Sequence, residues 1–164
     1  MKTLYLIGGT MGVGKTTVCR ELKIMLPDCV FLDGDWCWDM HPFVVNEATK
    51  TMVLDNICGC LNNFLKCPSI QNIVFCWVMH EQSIIDEILS RLALESCRVV
   101  PISLTCTEEA LRSRLQKDIA EGRRTPDILD RSPTRLPLYE KLDTVKIDTS
   151  GKTAQQIVRH ILEQ

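Results

Sequence analysis

No two of the nine cysteines in this 164-residue chain have the C-x-x-C spacing of a zinc or redox site, and only three histidines could share in one. The cysteine count is odd, and most cysteines sit in apolar runs such as NIVFCWVMH. The expectation is reduced thiols acting as small core side chains in a cytoplasmic protein, without a disulfide framework. No apolar run approaches the ~18 residues that would suggest a membrane span. The first residues lack a basic segment followed by an apolar stretch, so no signal peptide is expected. A basic excess is also missing: 19 Lys and Arg face 21 Asp and Glu, for a formal net charge of −2. That balance argues against a nucleic-acid or membrane-surface partner. With no repeat, low-complexity tract or linker, residues 1–164 are expected to form one domain.

What is present is an alternation of two periods. Short β-rich runs occur at Leu4–Ile7, Val30–Leu32, Ile73–Met79, Val99–Leu104 and Val145–Ile147. Helical spacing fills 15–26, 47–66, 82–94, Thr107–Leu115 and Thr153–Leu162. Thr107 is placed to cap its helix, and Glu108 and Glu109 suit that helix's positive end. Strand and helix in turn imply an α/β fold: a five-stranded parallel sheet covered by helices on both faces, in three layers. Ligands of such sheets bind beyond the carboxyl ends of the strands. The stretch QKDIAEGRRTPDILDRSPTRLPL (116–138) is charged, holds three prolines and has weak periodicity. It reads as an exposed flap or irregular helical excursion.

LIGGTMGVGKTTVCREL fits G-x-x-x-x-G-K-[ST] at Gly9, Gly14, Lys15 and Thr16, between an apolar strand and a helix. Glycines let the backbone curl until successive N–H groups face one anion, and the helix start adds partial positive charge. Residues Gly9, Thr10, Met11, Gly12, Val13, Gly14, Lys15, Thr16 and Thr17 are therefore assigned to the phosphates of ATP. Lys15 reaches the β- and γ-phosphates, and the Thr16 hydroxyl completes the shell of Mg2+. No N-K-x-D guanine reader occurs, and the third apolar run ends in His80 rather than an aspartate. The acidic residues follow the second strand instead, as Asp33 and Asp35 in VFLDGDW.

With the loop at 9–16, LDGD at 32–35, LRSRL at 111–115 and RLPLY at 135–139, most of the chain resembles the small P-loop kinases. These include shikimate kinase, gluconate kinase, adenylylsulfate kinase and chloramphenicol phosphotransferase. The resemblance implies a mobile lid spanning roughly 112–134, with Asp33 assisting the metal through water and Asp35 orienting or deprotonating an acceptor hydroxyl. It also implies that Arg114 opens the lid, that Arg123 and Arg124 swing onto the triphosphate, and that Arg135 faces an acceptor carboxylate. The loop Thr149–Lys152, with Ser150, Gly151 and Lys152, would pack on the adenine. Asp118 and Glu121 depart from the lid pattern, standing where another basic residue would be expected.

Trp36, Trp38 and His41 follow the acidic pair, while Trp77 and His80 end the third strand. A ring or apolar face could stack there; equally, any one of these tryptophans could be a core plug. The expected activity is transfer of the γ-phosphoryl of ATP to a hydroxyl of a small-molecule acceptor. A nucleoside or nucleotide kinase, with Arg112, Arg114 and Arg135 as a phosphate clamp, is the alternative enzyme. A nucleotide-responsive regulatory protein with little turnover is the alternative of another class.

Overall fold

The computed structural model describes all 164 residues. Five strands, β1 (Lys2–Gly8), β2 (Cys29–Asp33), β3 (Asn72–Cys76), β4 (Cys97–Thr105) and β5 (Val145–Asp148), form one sheet in the order β2-β3-β1-β4-β5. Every pairing is parallel, as expected. Alternate residues of β1 enter opposite layers. Leu4 and Leu6 join Ile73, Phe75, Ile57 and Ile88 on one face. Tyr5 and Ile7 join Val74, Leu22, Ile102 and Val158 on the other. Both faces are covered, so each strand reads as a continuous apolar run.

Helices α1 (Lys15–Met25) and α7 (Ala154–Leu162) supply the second layer's residues; α2 (Glu47–Lys66) and α3 (Gln82–Ser90) supply the first. Three helices start on side-chain caps. The Asn46 side chain accepts from Thr49 N, Thr107 from Ala110 N, and Thr153 from Gln156 N. No helix is long and apolar enough to cross a membrane. All nine cysteines are free, with Cys19, Cys58 and Cys76 buried and the others half-buried.

Three boundaries differ from expectation. The third strand stops at Cys76 rather than Met79, because the chain turns into a loop whose Met79 has φ 39°. The third helix ends at Ser90, short of 94. The fourth helix, α4 (Glu108–Ala120), continues past Leu115. Its added turn is mostly polar, so apolar periodicity fades where helical backbone persists. The remainder of the 116–138 stretch forms α5 (Ile128–Arg131), a 3₁₀ turn (Pro133–Arg135) and the beginning of α6 (Leu136–Tyr139).

Strand β1 is flanked by β3 and β4, and its two neighbours lie on opposite sides of the point where the chain order reverses. That crevice, beyond the carboxyl end of β1, is where this sheet class binds ligands. Tyr139, fully buried, fixes its rim by donating from Oη to the Val78 carbonyl at 2.6 Å. The same carbonyl accepts from Gly9 N at 3.3 Å. Tyr139→Phe should therefore cost about 1–2 kcal/mol, read as a lower midpoint in chemical denaturation. Gly9 amide exchange should quicken beyond that global loss.

Candidate active site

The loop after β1 turns on Gly12 (φ 86°) and Gly14 (φ 107°), a region closed to most side chains. At Gly12 space is short as well: a Cβ there would stand 2.6 Å from Leu115 Cδ2 on α4. Gly14 is the N-cap of α1 and offers no side-chain acceptor. Unlike α2, α4 and α7, α1 thus presents its first N–H groups without a side-chain cap, the arrangement that suits an anion. Lys15, half-buried, donates from Nζ to Gly9 O at 2.8 Å and Thr10 O at 3.1 Å. Burial pushes its pKa down, while Cys76, Asp35 and Asp33 pull it back up.

Thr16 Oγ1 donates to Asp33 Oδ2 at 2.8 Å, and Asp33 Oδ1 accepts from Asp35 N at 3.1 Å. Asp33 is 6% exposed and ends β2, where it caps the 3₁₀ turn Gly34–Trp38. A hydroxyl and a buried carboxylate are hard oxygen donors of the kind magnesium takes from a protein that leaves its other positions to phosphate and water. No cluster of three or more His, Cys, Asp or Glu forms a separate cage. The residues present fit Mg2+ with a nucleotide, not an all-protein metal centre.

Two cavities open here. The first, about 560 Å³, is lined by Met11 through Val18, Asp33, Asp35, Arg114, Arg123, Arg124, Thr149 and Lys152, among others. The second, about 610 Å³, is lined by Asp35, Trp38, Phe43, Trp77, His80 and Arg135, with further apolar residues. Asp35 and Val78 line both. Desolvation raises the Asp35 pKa and the Asp33 carboxylate adds to this; Lys15, the Trp77 indole and Arg124 oppose it. His80 is pushed down by desolvation and by Arg135, with Glu81 opposing.

Several expected site residues lie elsewhere. Trp36 lines neither cavity: it is 54% exposed and meets Phe31 edge-on, with ring centroids 5.2 Å apart. In a 3₁₀ turn successive side chains diverge by about 120°, so Trp36 and Trp38 cannot share a face. His41, beyond that turn, also lines neither. Gly9 and Thr10 sit behind the phosphate cradle. The fully buried Thr10 points back, its Oγ1 donating to Ser132 O at 3.0 Å and meeting Ser132 Oγ at 2.8 Å. Ser150 and Gly151 stand outside the first cavity. Ser150 Oγ accepts from Thr107 N at 2.9 Å and its amide donates to Asp148 Oδ1 at 3.0 Å, leaving Thr149 and Lys152 to face inward.

The arginines also sort themselves. Arg114 Nη1 donates to Val13 O at 3.0 Å and Thr149 Oγ1 at 2.9 Å, and Nη2 donates to Thr149 O at 2.8 Å. It ties the phosphate loop to the loop after β5. Arg123 is paired with Asp118 at 3.2 Å and with Glu121, and Arg124 with Asp118 at 3.1 Å. Asp118 and Glu121 thus hold Arg123 and Arg124 at the cavity wall. Arg112 is engaged with Glu108 and Leu129 O and lines neither cavity, so a three-arginine acceptor clamp does not assemble.

Sequence reading missed Ser132 altogether. It is buried at the end of α5 and donates from Oγ to Met11 O at 2.5 Å, fastening that end of α5 to the glycine loop. Its only signal was a serine among charged and proline residues, which reads as a turn.

The AAA domain family matches residues 6–132. The chain belongs to that family. No curated protein sequence matches it. Among solved structures, this AAA domain chain is similar to a gluconokinase from Sinorhizobium meliloti 1021, at 18% identity and TM-score 0.68 over 98% of this chain and 90% of that one. It is similar to the Deinococcus radiodurans tunicamycin resistance protein, at 18% identity and TM-score 0.71 over 100% and 95%. It is also similar to a shikimate kinase from Acinetobacter baumannii in complex with shikimate, at 21% identity and TM-score 0.65 over 99% and 92%. The fold is that of the P-loop NTPases, and these structural neighbours include small-molecule kinases.

Ser132→Ala should cost about 1–3 kcal/mol by removing the buried donor to Met11 O. Denaturation midpoints check the stability. ATP titrations should show weaker affinity, because the cradle loses its outer strut.

Proposed function

We propose that this AAA domain chain is a phosphotransferase that moves the γ-phosphoryl of ATP to a hydroxyl of a small-molecule acceptor. One observation carries the reading: Asp35 stands in the wall shared by the glycine-loop cavity and the aromatic-lined cavity. A group in that position can touch both a donor phosphate's surroundings and an acceptor hydroxyl.

In this reading the α1 N-terminus and the loop amides bind the polyphosphate, and Lys15 supplies a fixed positive charge where transfer concentrates negative charge. Thr16 would hold magnesium directly and Asp33 through water, and the ion would neutralise charge shared between phosphoryl oxygens. Asp35 accepts the acceptor's proton, or holds it while the bond to phosphorus forms. Little base strength is needed, since the reaction depends on alignment and charge compensation. Arg123 and Arg124 close over the polyphosphate and exclude water from the transferring group. Held by Asp118, they are positioned before any ligand enters.

Lys15→Ala should abolish transfer. Asp35→Asn should lower kcat by roughly 10²–10⁴-fold with ATP affinity kept, and unchanged transfer by this variant would defeat the assignment. In the ligand-free protein the Asp35 carboxyl should titrate above the usual carboxylate range, because of burial and the Asp33 carboxylate, as read by NMR of the side-chain carbon. The stability sign is opposite to that of a salt-bridged acid. A folded-state pKa above the unfolded one favours folding at low pH, and that contribution is lost as pH rises through the folded value. At neutral pH Asp35→Asn should therefore melt no lower than wild type while losing activity.

A further inference from the structure

Two pairs of thiols meet in this fold. Cys19 and Cys76 share a hydrogen bond between α1 and β3, and Cys37 and Cys60 share one between the 3₁₀ turn Gly34–Trp38 and α2. The pairs differ in access. Cys19 and Cys76 are both 0% exposed, inside the layer that holds Val18 and Leu22, so no reagent meets them while the fold is closed. Cys37 and Cys60 are half-buried at the margin of the other layer, packed against its core yet open to small solutes.

The second pair is held in place by the elements that carry it. The turn packs on α2. Asp33 caps the turn, Gly34 lies against Trp77, and α2 is anchored by Val53, Ile57 and Leu61. Thiols presented this way lose little freedom when joined, and only have to close to the bonded sulfur distance of about 2.05 Å. Burial, with the Cys60 thiol and Asp33 adding to it, pushes the Cys37 thiol up to about 11. Cys37 therefore keeps its proton at neutral pH and is the second of the two to react.

We propose that Cys37 and Cys60 are a modification site, where a reversible disulfide fastens the Asp35-bearing turn onto α2. The oxidant is a peroxide. The Cys60 thiolate attacks one peroxide oxygen; an S–O bond forms, the O–O bond breaks and hydroxide leaves. The Cys37 sulfur then attacks the Cys60 sulfenic sulfur. The S–S bond forms, the S–O bond breaks, and the departing hydroxide takes the Cys37 proton as water. In total both sulfurs are oxidised, and one peroxide with the two thiol hydrogens becomes two waters. A dithiol reverses the bond by exchange. Asp35 precedes Cys37 by two positions and Trp38 follows it, so the new bond pulls on the segment that supplies both side chains to the second cavity. An effect on catalysis rests on the phosphotransfer reading above; the bond itself does not.

The test treats the purified chain with hydrogen peroxide, alkylates the remaining thiols and maps peptides without reduction. The wild type should yield a Cys37–Cys60 cross-linked peptide as its main disulfide, lose two of its nine alkylatable thiols and regain both with dithiothreitol. Cys37→Ser should stop at a Cys60 sulfenic acid that dimedone traps, with no intramolecular cross-link. Indole emission should fall on oxidation of the wild type, because a disulfide beside Trp38 quenches it, and should hold steady in Cys37→Ser. Cys37 and Cys60 that stay separately alkylatable, or a main cross-link between other cysteines, overturns the proposal.

A chain that forms the cross-link yet transfers phosphate to no acceptor keeps the modification site and loses the phosphotransfer reading. One that transfers phosphate and never forms the cross-link does the reverse.

Discussion

A buried carboxylate organises the end of this molecule beyond the carboxyl edge of the sheet. Asp33 accepts the Thr16 hydroxyl on one oxygen and the Asp35 amide on the other. The first bond attaches the end of β2 to α1; the second fixes the turn that carries Asp35. A nearly inaccessible carboxylate is tolerable only when its lone pairs are met, so both contacts are held firmly. The glycine loop and the turn that faces the second cavity are thereby set relative to each other by one side chain.

Around that pair the structure is braced by bonds to backbone carbonyls. Arg114 spans from Val13 to Thr149, Ser132 from Met11 to Thr10, and Tyr139 reaches Val78. Each brace begins in the last third of the chain and ends on the carboxyl edge of the central strands. The late segment that looked irregular is thus a clasp around the glycine loop, and Leu111 and Leu115 pack its base with Ile128. Contact between Leu115 and Gly12 explains why that loop position has no room for a side chain.

Much of this was legible in the sequence, for identifiable reasons. Strands buried on both faces leave continuous apolar runs, and a phosphate cradle needs glycines at fixed intervals. Strand content and the glycine turn could therefore be read directly, whereas the turning back of Thr10 onto Ser132 could not. The Asp33–Asp35 spacing was visible too, but its consequence was not: a shared wall between cavities depends on how the 3₁₀ turn docks on Trp77. Trp36 and Trp38 look equivalent in sequence and diverge because of that turn's pitch. Ser132 and the inward-facing Thr10 were hidden because hydroxyl pairing across 122 positions leaves no local pattern. Arg123 and Arg124 were recognisable as charges, whereas their pairing with Asp118 depends on how the chain folds back after α4.

Gly34 lies against the indole of Trp77 so closely that a methyl group there would fall 2.6 Å from ring atoms Cγ and Cδ1. The turn that carries Asp35 is thus packed directly on an indole that lines the aromatic cavity. Any chain with alanine at position 34 would have to tilt the indole, carrying the floor of one chamber and the carboxylate of its neighbour in the same movement. The shape of the aromatic cavity and the placement of Asp35 are mechanically coupled through this one contact, set by the absence of one carbon atom.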